Sequence, residues 1–286
     1  MIRSMLHRSP RQGGFLPGVV MYARQRSVLA LTLLACTALA AGCDPNVGGG
    51  ALQGHASSDW TRSYTLAPGG ELQVVGASGP IVVEGAEGSE VEVRATRTVR
   101  ATREAEATDL VEHVRISEDV SPERVVLRNE GLGGMGLGRQ VAVDFHVRVP
   151  VTTRLRLHTA NGNIRVSNVA GTVVMSTANG IVLGRGLSAG VDAQTTNGSV
   201  TLELQAVGDG PITARSTNGG VSVTLPASAR ATVDATTTAG TIDAAALGLV
   251  PEGPQSAQRV RGAMNGGGTP VTLSTTNGDV QVRPQP

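Results

Sequence analysis

Lysine does not occur in the 286 residues, and all 24 basic side chains are arginine. A GC-rich coding bias accounts for that more simply than a demand for guanidinium chemistry. Aromatic residues make up 2% of the chain. Past the N-terminal segment they are Trp60, Tyr64 and Phe145, too few to build the aromatic platforms common in sugar-binding grooves. The formal net charge is +1, too weak a field to gather nucleic acid, which is therefore excluded as a partner. The two cysteines, Cys36 and Cys43, sit in or beside an N-terminal apolar run, so no pair remains for a disulfide framework or a cysteine zinc site. The five histidines are scattered without ligand spacing. No metal and no cofactor is expected.

What is abundant is glycine, at 38 residues, within a chain that is 40% hydrophobic, largely through Val, Ala and Leu. With its many threonines this composition favours short strands and tight turns.

The N-terminus reads as an address. Val28 to Ala41 is an apolar run preceded by Arg24 and Arg26 and followed by Gly42 and Cys43, a secretory signal pattern too short for a comfortable membrane span. LAAGC at 39–43 resembles the bacterial lipobox, which implies cleavage before Cys43 and lipidation of its thiol. Leu39 stands one position farther from the cysteine than is usual. LLAC at 33–36 places Leu33 better, but a cut there would leave the apolar remnant ACTALAAG. Cleavage after Ala41, with Cys43 a stray thiol, stays open. Met21 would give a tidier leader, so residues 1–20 of the signal segment 1–42 read as a mis-assigned start. Asp44 resembles the inner-membrane retention signal of enteric bacteria. Residues 43–57 carry too little apolar surface to order themselves and are expected to form a flexible tether.

The strongest signal is internal repetition. TANG, TTNG or STNG recurs at Gly162, Gly180, Gly198, Gly219 and Gly278, with TTAG at Gly240. The positions seven and five residues before each glycine are apolar throughout, from Leu155 and Leu157 to Val271 and Leu273. Three before stand Thr159, Thr177, Thr195, Ser216, Thr237 and Thr275; two after stand Ile164, Val182, Val200, Val221, Ile242 and Val280. The unit is a strand, an Asn-Gly turn and a second strand, with one face buried at period two. Asn161, Asn179, Asn197, Asn218 and Asn277, each followed by its glycine, are turn residues in this reading, because both positions tolerate positive φ. A ligand-binding row of asparagines is the less economical alternative.

The glycines are spaced by 18, 18, 21, 21 and 38 residues, which fits coils of a β-solenoid stacked in register about 4.8 Å apart. A β-sandwich of stacked hairpins is the alternative. Alanines at successive buried positions, Ala193, Ala214 and Ala235, suit a narrow interior. Leu72, Val74, Ile81 and Val83 around Gly79 form a degenerate early copy. Residues 58–150 read as an N-terminal β region and cap, in which 90–150 pairs in longer antiparallel strands. Residues 151–286 read as the regular array, with a loop inserted at 251–270. Pro284 and Pro286 are placed to discourage pairing at its end.

VRVPVTTRLRLHTANGNIRV at 147–166, with the TTNG and STNG copies after it, resembles the bacterial DUF4097 family of proposed adhesins over most of 71–282. The resemblance implies a β-solenoid in an exported or envelope-associated protein and brings no catalytic residues.

Enzyme motifs fail on context. GLSAG at 186–190 matches a nucleophile elbow, but all five histidines precede Ser188, whereas that fold places its histidine after the nucleophile. GLGGMG at 131–136 matches a dinucleotide fingerprint but leads into the strand-like VAVDFHVRV instead of a helix. A polysaccharide-active β-helix needs converging acid and base groups. Asp192 and Asp234 share a column two coils apart, with Thr213 between them, and His158 lies in an outward column beside Ser176 and Gln194. The expectation is an all-β, non-enzymatic lipoprotein of the cell envelope, on its periplasmic or outer-membrane side. It would be held by an N-terminal lipid and would bind an envelope protein or polysaccharide. A periplasmic envelope-stress or interaction module and a β-helical polysaccharide enzyme are the alternatives.

Overall fold

The computed structural model describes residues 52–130, 138–208 and 210–285. The proposed signal, Cys43 and the GLGGMG motif lie outside them. The described residues belong to one compact unit, Asn46–Pro286.

The N-terminal part comprises β1 (Gly54–Thr65), β2 (Glu71–Ser78), β3 (Ile81–Ala86), β4 (Glu90–Ala101), α1 (Glu104–His113), β5 (Arg115–Ser121), β6 (Arg124–Glu130) and β7 (Arg139–Pro150). The repeats follow as strand pairs: β8 (Arg154–Asn161) with β9 (Ile164–Ser167), β10 (Val173–Asn179) with β11 (Val182–Leu187), and β12 (Val191–Asn197) with β13 (Val200–Leu204). Then come β14 (Ile212–Asn218) with β15 (Val221–Leu225) and β16 (Ala231–Ala239) with β17 (Ile242–Asp243). A short 3-10 turn, Ala245–Leu247, precedes β18 (Val250–Pro251), β19 (Arg259–Met264), β20 (Thr269–Asn277) and β21 (Val280–Pro284).

The strands form two sheets. A 10-stranded sheet runs β1-β4-β7-β3-β9-β11-β13-β15-β21-β17, and an 11-stranded sheet runs β18-β19-β16-β20-β14-β12-β10-β8-β2-β6-β5. The strand before each Asn-Gly lies in the larger sheet and the strand after it in the smaller. Those two strands do not pair with each other, so the unit is a solenoid coil and not a hairpin. Between coils the pairing is parallel and residue for residue: Val173 faces Leu155 and Val191, and Val182 faces Ile164 and Val200. Period-two alternation turns the apolar columns of both sheets inward, where Leu72, Leu155, Leu157, Ile164, Met175, Leu202 and Ile212 are buried in one continuous core.

The coils are not stacked in sequence order. β20 lies between β14 and β16, and β21 between β15 and β17, so the last coil in the chain fills a slot inside the array. The chain steps past that slot, builds β16 and β17, returns through β19 antiparallel on the far edge of β16, and re-enters as β20. The return turn uses positive φ at Asn265, Gly266, Gly267 and Gly268.

Several expectations change with this topology. The segment 251–270 is not a simple loop, because β19 and the start of β20 lie in it. Its polar composition reflects an edge strand with one buried face, at Gly262 and Met264. The inner column runs Ala193, Ala214, Leu273, Ala235, so its alanines are interrupted by a leucine. Pro284 lies opposite Leu225 at the end of β21, past the two residues that β17 covers, Val280 and Gln281. Pro286 is outside the described residues.

At the N-terminal end β2 and β3 form a coil against β8 and β9. A further coil, β6 with β7, stacks outside it. Again the chain order is broken. β4 and β1 extend the smaller sheet antiparallel from β7, and β5 closes the larger one. Residues Gly54–Ser57, expected in the tether, pair with Ala101–Thr98 as the start of β1, since a partner strand can order residues that bury little by themselves. Residues 104–113, within the region expected to pair in longer antiparallel strands, form α1. Glu104 and Glu106 sit at its positive end, and Ala107 and Val111 face the core one turn apart.

Candidate functional surface

At five corners the chain passes from the larger sheet to the smaller through Asn and Gly, and at Gly79 and Gly240 the glycine follows Ser78 and Ala239 instead. Positive φ occurs at the glycine of every such corner except Gly162, at +151° for Gly198 and +147° for Gly219, and none of the corner asparagines adopts it. The expected use of positive φ by both residues belongs to a hairpin turn. Here each asparagine ends an in-register strand and keeps extended pairing, as Asn179 does opposite Asn161 and Asn197. A β-carbon on Gly198 or Gly219 would collide with the carbonyl oxygen of the corner glycine one coil before, Gly180 or Gly198 respectively.

The residue three before the glycine points inward and is buried. Its hydroxyl donates to the carbonyl of the adjacent coil's corner glycine: Thr177 to Gly162 at 3.0 Å, Thr195 to Gly180 at 2.9 Å, Ser216 to Gly198 at 2.8 Å, Thr275 to Gly219 at 2.7 Å, and Thr237 to Gly278 at 2.8 Å. Thr159 donates likewise to Gly79 at 3.2 Å. These carbonyls leave the sheet ladder at the bend and would otherwise be orphaned. The hydroxyl column thus has a structural use.

The asparagines are exposed and bond to one another. Nδ2 of Asn179 donates to Oδ1 of Asn161, and Asn197 to Asn179, each at 2.8 Å; Asn218 donates to Asn197 at 2.9 Å and Asn277 to Asn218 at 2.8 Å. The row ends where Ala239 stands beside Asn277. Each amide inside the row spends a donor and an acceptor on its neighbours, which leaves it little to offer a ligand.

The outer faces carry the free polar chemistry. Across the smaller sheet one row reads Glu92, Arg148, Glu84, Ser167, Arg185, Glu203, Thr224 and Arg283, with alternating sign. Arg185 Nε lies 3.2 Å from Glu203, an exposed pair of small energetic value. On the larger sheet Asp192, Thr213, Thr272 and Asp234 form one row, so the two aspartates are separated by three coil steps instead of the two expected. His158 lies in the neighbouring row beside Ser176, followed by Gln194.

Open clefts adjoin the array, among them two that carry charged side chains. One, of about 570 Å³, lies where the chain crosses the slot taken by the last coil and is lined by Gln205, Ser228, Arg230 and the glycine turn. The other, of about 410 Å³, lies near the N-terminal end among Ser78, Thr98, Arg100, Gln140 and Asp144. Burial raises the carboxyl pKa of Asp144, partly offset by the charge of His146. Among the described residues no second carboxylate lines that cleft. It was not legible in the sequence, because β4 and β7 come together from opposite sides of α1. The GLSAG segment forms a corner: Gly186 takes φ +62°, Leu187 is buried, and the Ser188 amide donates to the Val169 carbonyl at 3.3 Å. Among the described residues no group of three or more His, Cys, Asp or Glu side chains is arranged to hold a metal.

At the N-terminal end the core is closed by β1 and β5. The Tyr64 hydroxyl donates to Glu118 at 2.6 Å, Arg62 lies 3.6 Å from Glu118, and the Arg62 guanidinium stands 5.1 Å from the Trp60 ring centre. Burial, followed by the hydrogen bond and negative charge of Glu118, raises the Tyr64 phenol far above its ordinary range.

Residues 69–283 match the family model described as Toastrack DUF4097. No curated protein matches the chain. Among solved structures, a proposed cell adhesion protein from Clostridium sporogenes aligns at 13% identity over 80% of this chain and 100% of its own, with a TM-score of 0.47. A proposed adhesin from Bacteroides fragilis aligns at 10% identity over 80% of this chain and 97% of its own, with a TM-score of 0.33.

Proposed function

We propose, for a chain that belongs to the Toastrack DUF4097 family, a non-enzymatic role as a lipid-anchored envelope protein whose solenoid presents its outer faces for adhesion or partner binding. One observation carries this reading. The polar side chains that repeat most regularly are consumed within the scaffold, hydroxyls on corner carbonyls and amides on one another. Chemistry available to a partner is thereby left to the outer rows. The alternating charges on the smaller sheet suit a partner with its own pattern of both signs, and a rigid array of parallel strands holds them at fixed spacing. Anchoring rests on the lipobox-like LAAGC and Cys43.

The test combines location with binding. In cells expressing the full chain, Cys43→Ser is expected to move the protein out of the membrane fraction, and protease added to intact cells reports whether the solenoid is exposed. Arg148→Glu with Arg185→Glu is expected to lower retention of the chain's envelope partner at least tenfold while leaving its circular dichroism unchanged. Turnover of an envelope polysaccharide by the purified protein would replace this reading with the enzymatic one.

A further inference from the structure

The ends of the two sheets are treated unequally. The larger sheet ends on one side in β5, which carries Arg115, Glu118 and Asp119, and on the other in β18, two residues that include Pro251. The smaller sheet ends on its C-terminal side in β17, also two residues. Short strands, charge and proline are the usual means of keeping an edge from pairing. The fourth edge is β1. It has 12 residues and no proline, pairs with β4 without a break from Gly54 opposite Ala101 to Thr65 opposite Glu90, and has no strand on its other side among the described residues. Its acidic and basic groups are engaged elsewhere: Asp59 accepts from Thr96 at 2.8 Å and Arg62 faces Glu118.

We propose that β1 is a self-complementary docking edge, through which a second copy of this chain pairs antiparallel about a twofold axis at Trp60. Pleating restricts the register, because residues facing between the sheets must meet residues of the same face. An axis at Trp60 overlaps residues 55–65 of both copies. It sets Asp59 opposite Thr61, Ser57 opposite Ser63 and Ala56 opposite Tyr64, with Trp60 facing its own equivalent. No like charges meet. An axis at Asp59 would oppose two carboxylates, and an axis at Thr61 shortens the overlap. The two smaller sheets then run on as one through main-chain hydrogen bonds, in an isologous contact that closes at the dimer. Aromatic and hydroxyl pairs of this kind are favourable across antiparallel strands.

The chain has one tryptophan, so its fluorescence reports on the axis directly. The test uses the full exported chain carrying Cys43→Ser, so that no lipid drives association. Light scattering across a dilution series is expected to show a dimer that dissociates, with Trp60 emission shifting at the same midpoint. Ser57→Lys with Ser63→Lys opposes like charges in the proposed register and is expected to weaken association at least tenfold, with unchanged circular dichroism. Ser57→Glu with Ser63→Lys is expected to restore it. Thr61→Lys, brought opposite Asp59, is expected to strengthen it. A monomer at every concentration overturns the proposal, as does a dimer indifferent to the paired Ser57 and Ser63 changes.

Discussion

Asn277 donates its side-chain amide to Asn218 at 2.8 Å across a separation of 59 residues, although Gly240 and its whole coil come between them in the chain. That bond records the inserted position of the last coil. It also supplies a way of testing it.

Ala239 stands beside Asn277 and interrupts the asparagine row. Ala239→Asn is expected to extend the row by one amide bond and stabilise the protein by about 0.5–1 kcal/mol. A double-mutant cycle in denaturant unfolding should show coupling of this asparagine to Asn277 and none to Asn218. Coupling to Asn218 would mean that β16 stacks directly on β14, as sequential stacking requires.

The corner glycine column makes a harsher prediction. Gly219→Ala places a β-carbon against the Gly198 carbonyl at a φ of +147°. The expected loss is about 2–4 kcal/mol, since both a collision and an unfavourable backbone region are involved. Gly88→Ala, where nothing stands within 4 Å of the added carbon, bears only the backbone term at its φ of +125° and should cost less. Equal losses at the two sites would show that the close approach of coils contributes nothing.

Alkaline pH should act through Tyr64. Its folded phenol titrates above the unfolded value near 10.0 because of burial and Glu118. A group with a raised folded pKa contributes stability that is complete below the unfolded value and is lost as pH rises toward and through the folded one. Stability is therefore expected to fall above about pH 10, and Tyr64→Phe should remove part of that slope. Absorbance near 295 nm reads the titration directly, because the only other tyrosine is Tyr22, in the proposed leader. A Tyr64 titration at the ordinary value would contradict the closed N-terminal end.

The solenoid itself was legible in the sequence because stacking in register repeats the same residue type at the same offset, as with Leu155, Val173, Val191 and Ile212. The same equivalence hid the order of the coils. Val233 and Val271 fit the same column, so no pattern of burial distinguishes β16 next to β14 from β20 next to β14. What separates them is β19, a six-residue strand with Gly262 and Met264 buried, lying in the segment that its composition assigned to a loop. α1 escaped notice because only Ala107 and Val111 mark its buried face. The Asp144 cleft depends on β4 and β7 meeting over a long sequence separation, which no local pattern records.

The inserted coil bears on how the chain ends. If the last repeat were stacked on the outside, a chain stopped at Gly268 would lose one coil and keep the rest, as terminal repeats of linear arrays allow. In the observed order, stopping there empties a slot between β14 and β16. Both β14 and β16 lose a parallel partner, the Gly219 carbonyl loses its donor Thr275, the Thr237 hydroxyl loses its acceptor on Gly278, and Ile212 and Val233 are left facing a gap. The truncated chain is therefore expected to unfold its C-terminal third under native conditions, and limited proteolysis should cut first at 226–230, where the chain crosses the empty slot. The alternative collapse, with β16 sliding one step onto β14, would leave that segment protected and would give Asn218 no side-chain partner in the next coil, because Ala239 would face it. Protection of 226–230 from protease in the shortened chain would show that the repeats can close ranks, and that the slot is a consequence of chain order and not a requirement of the fold.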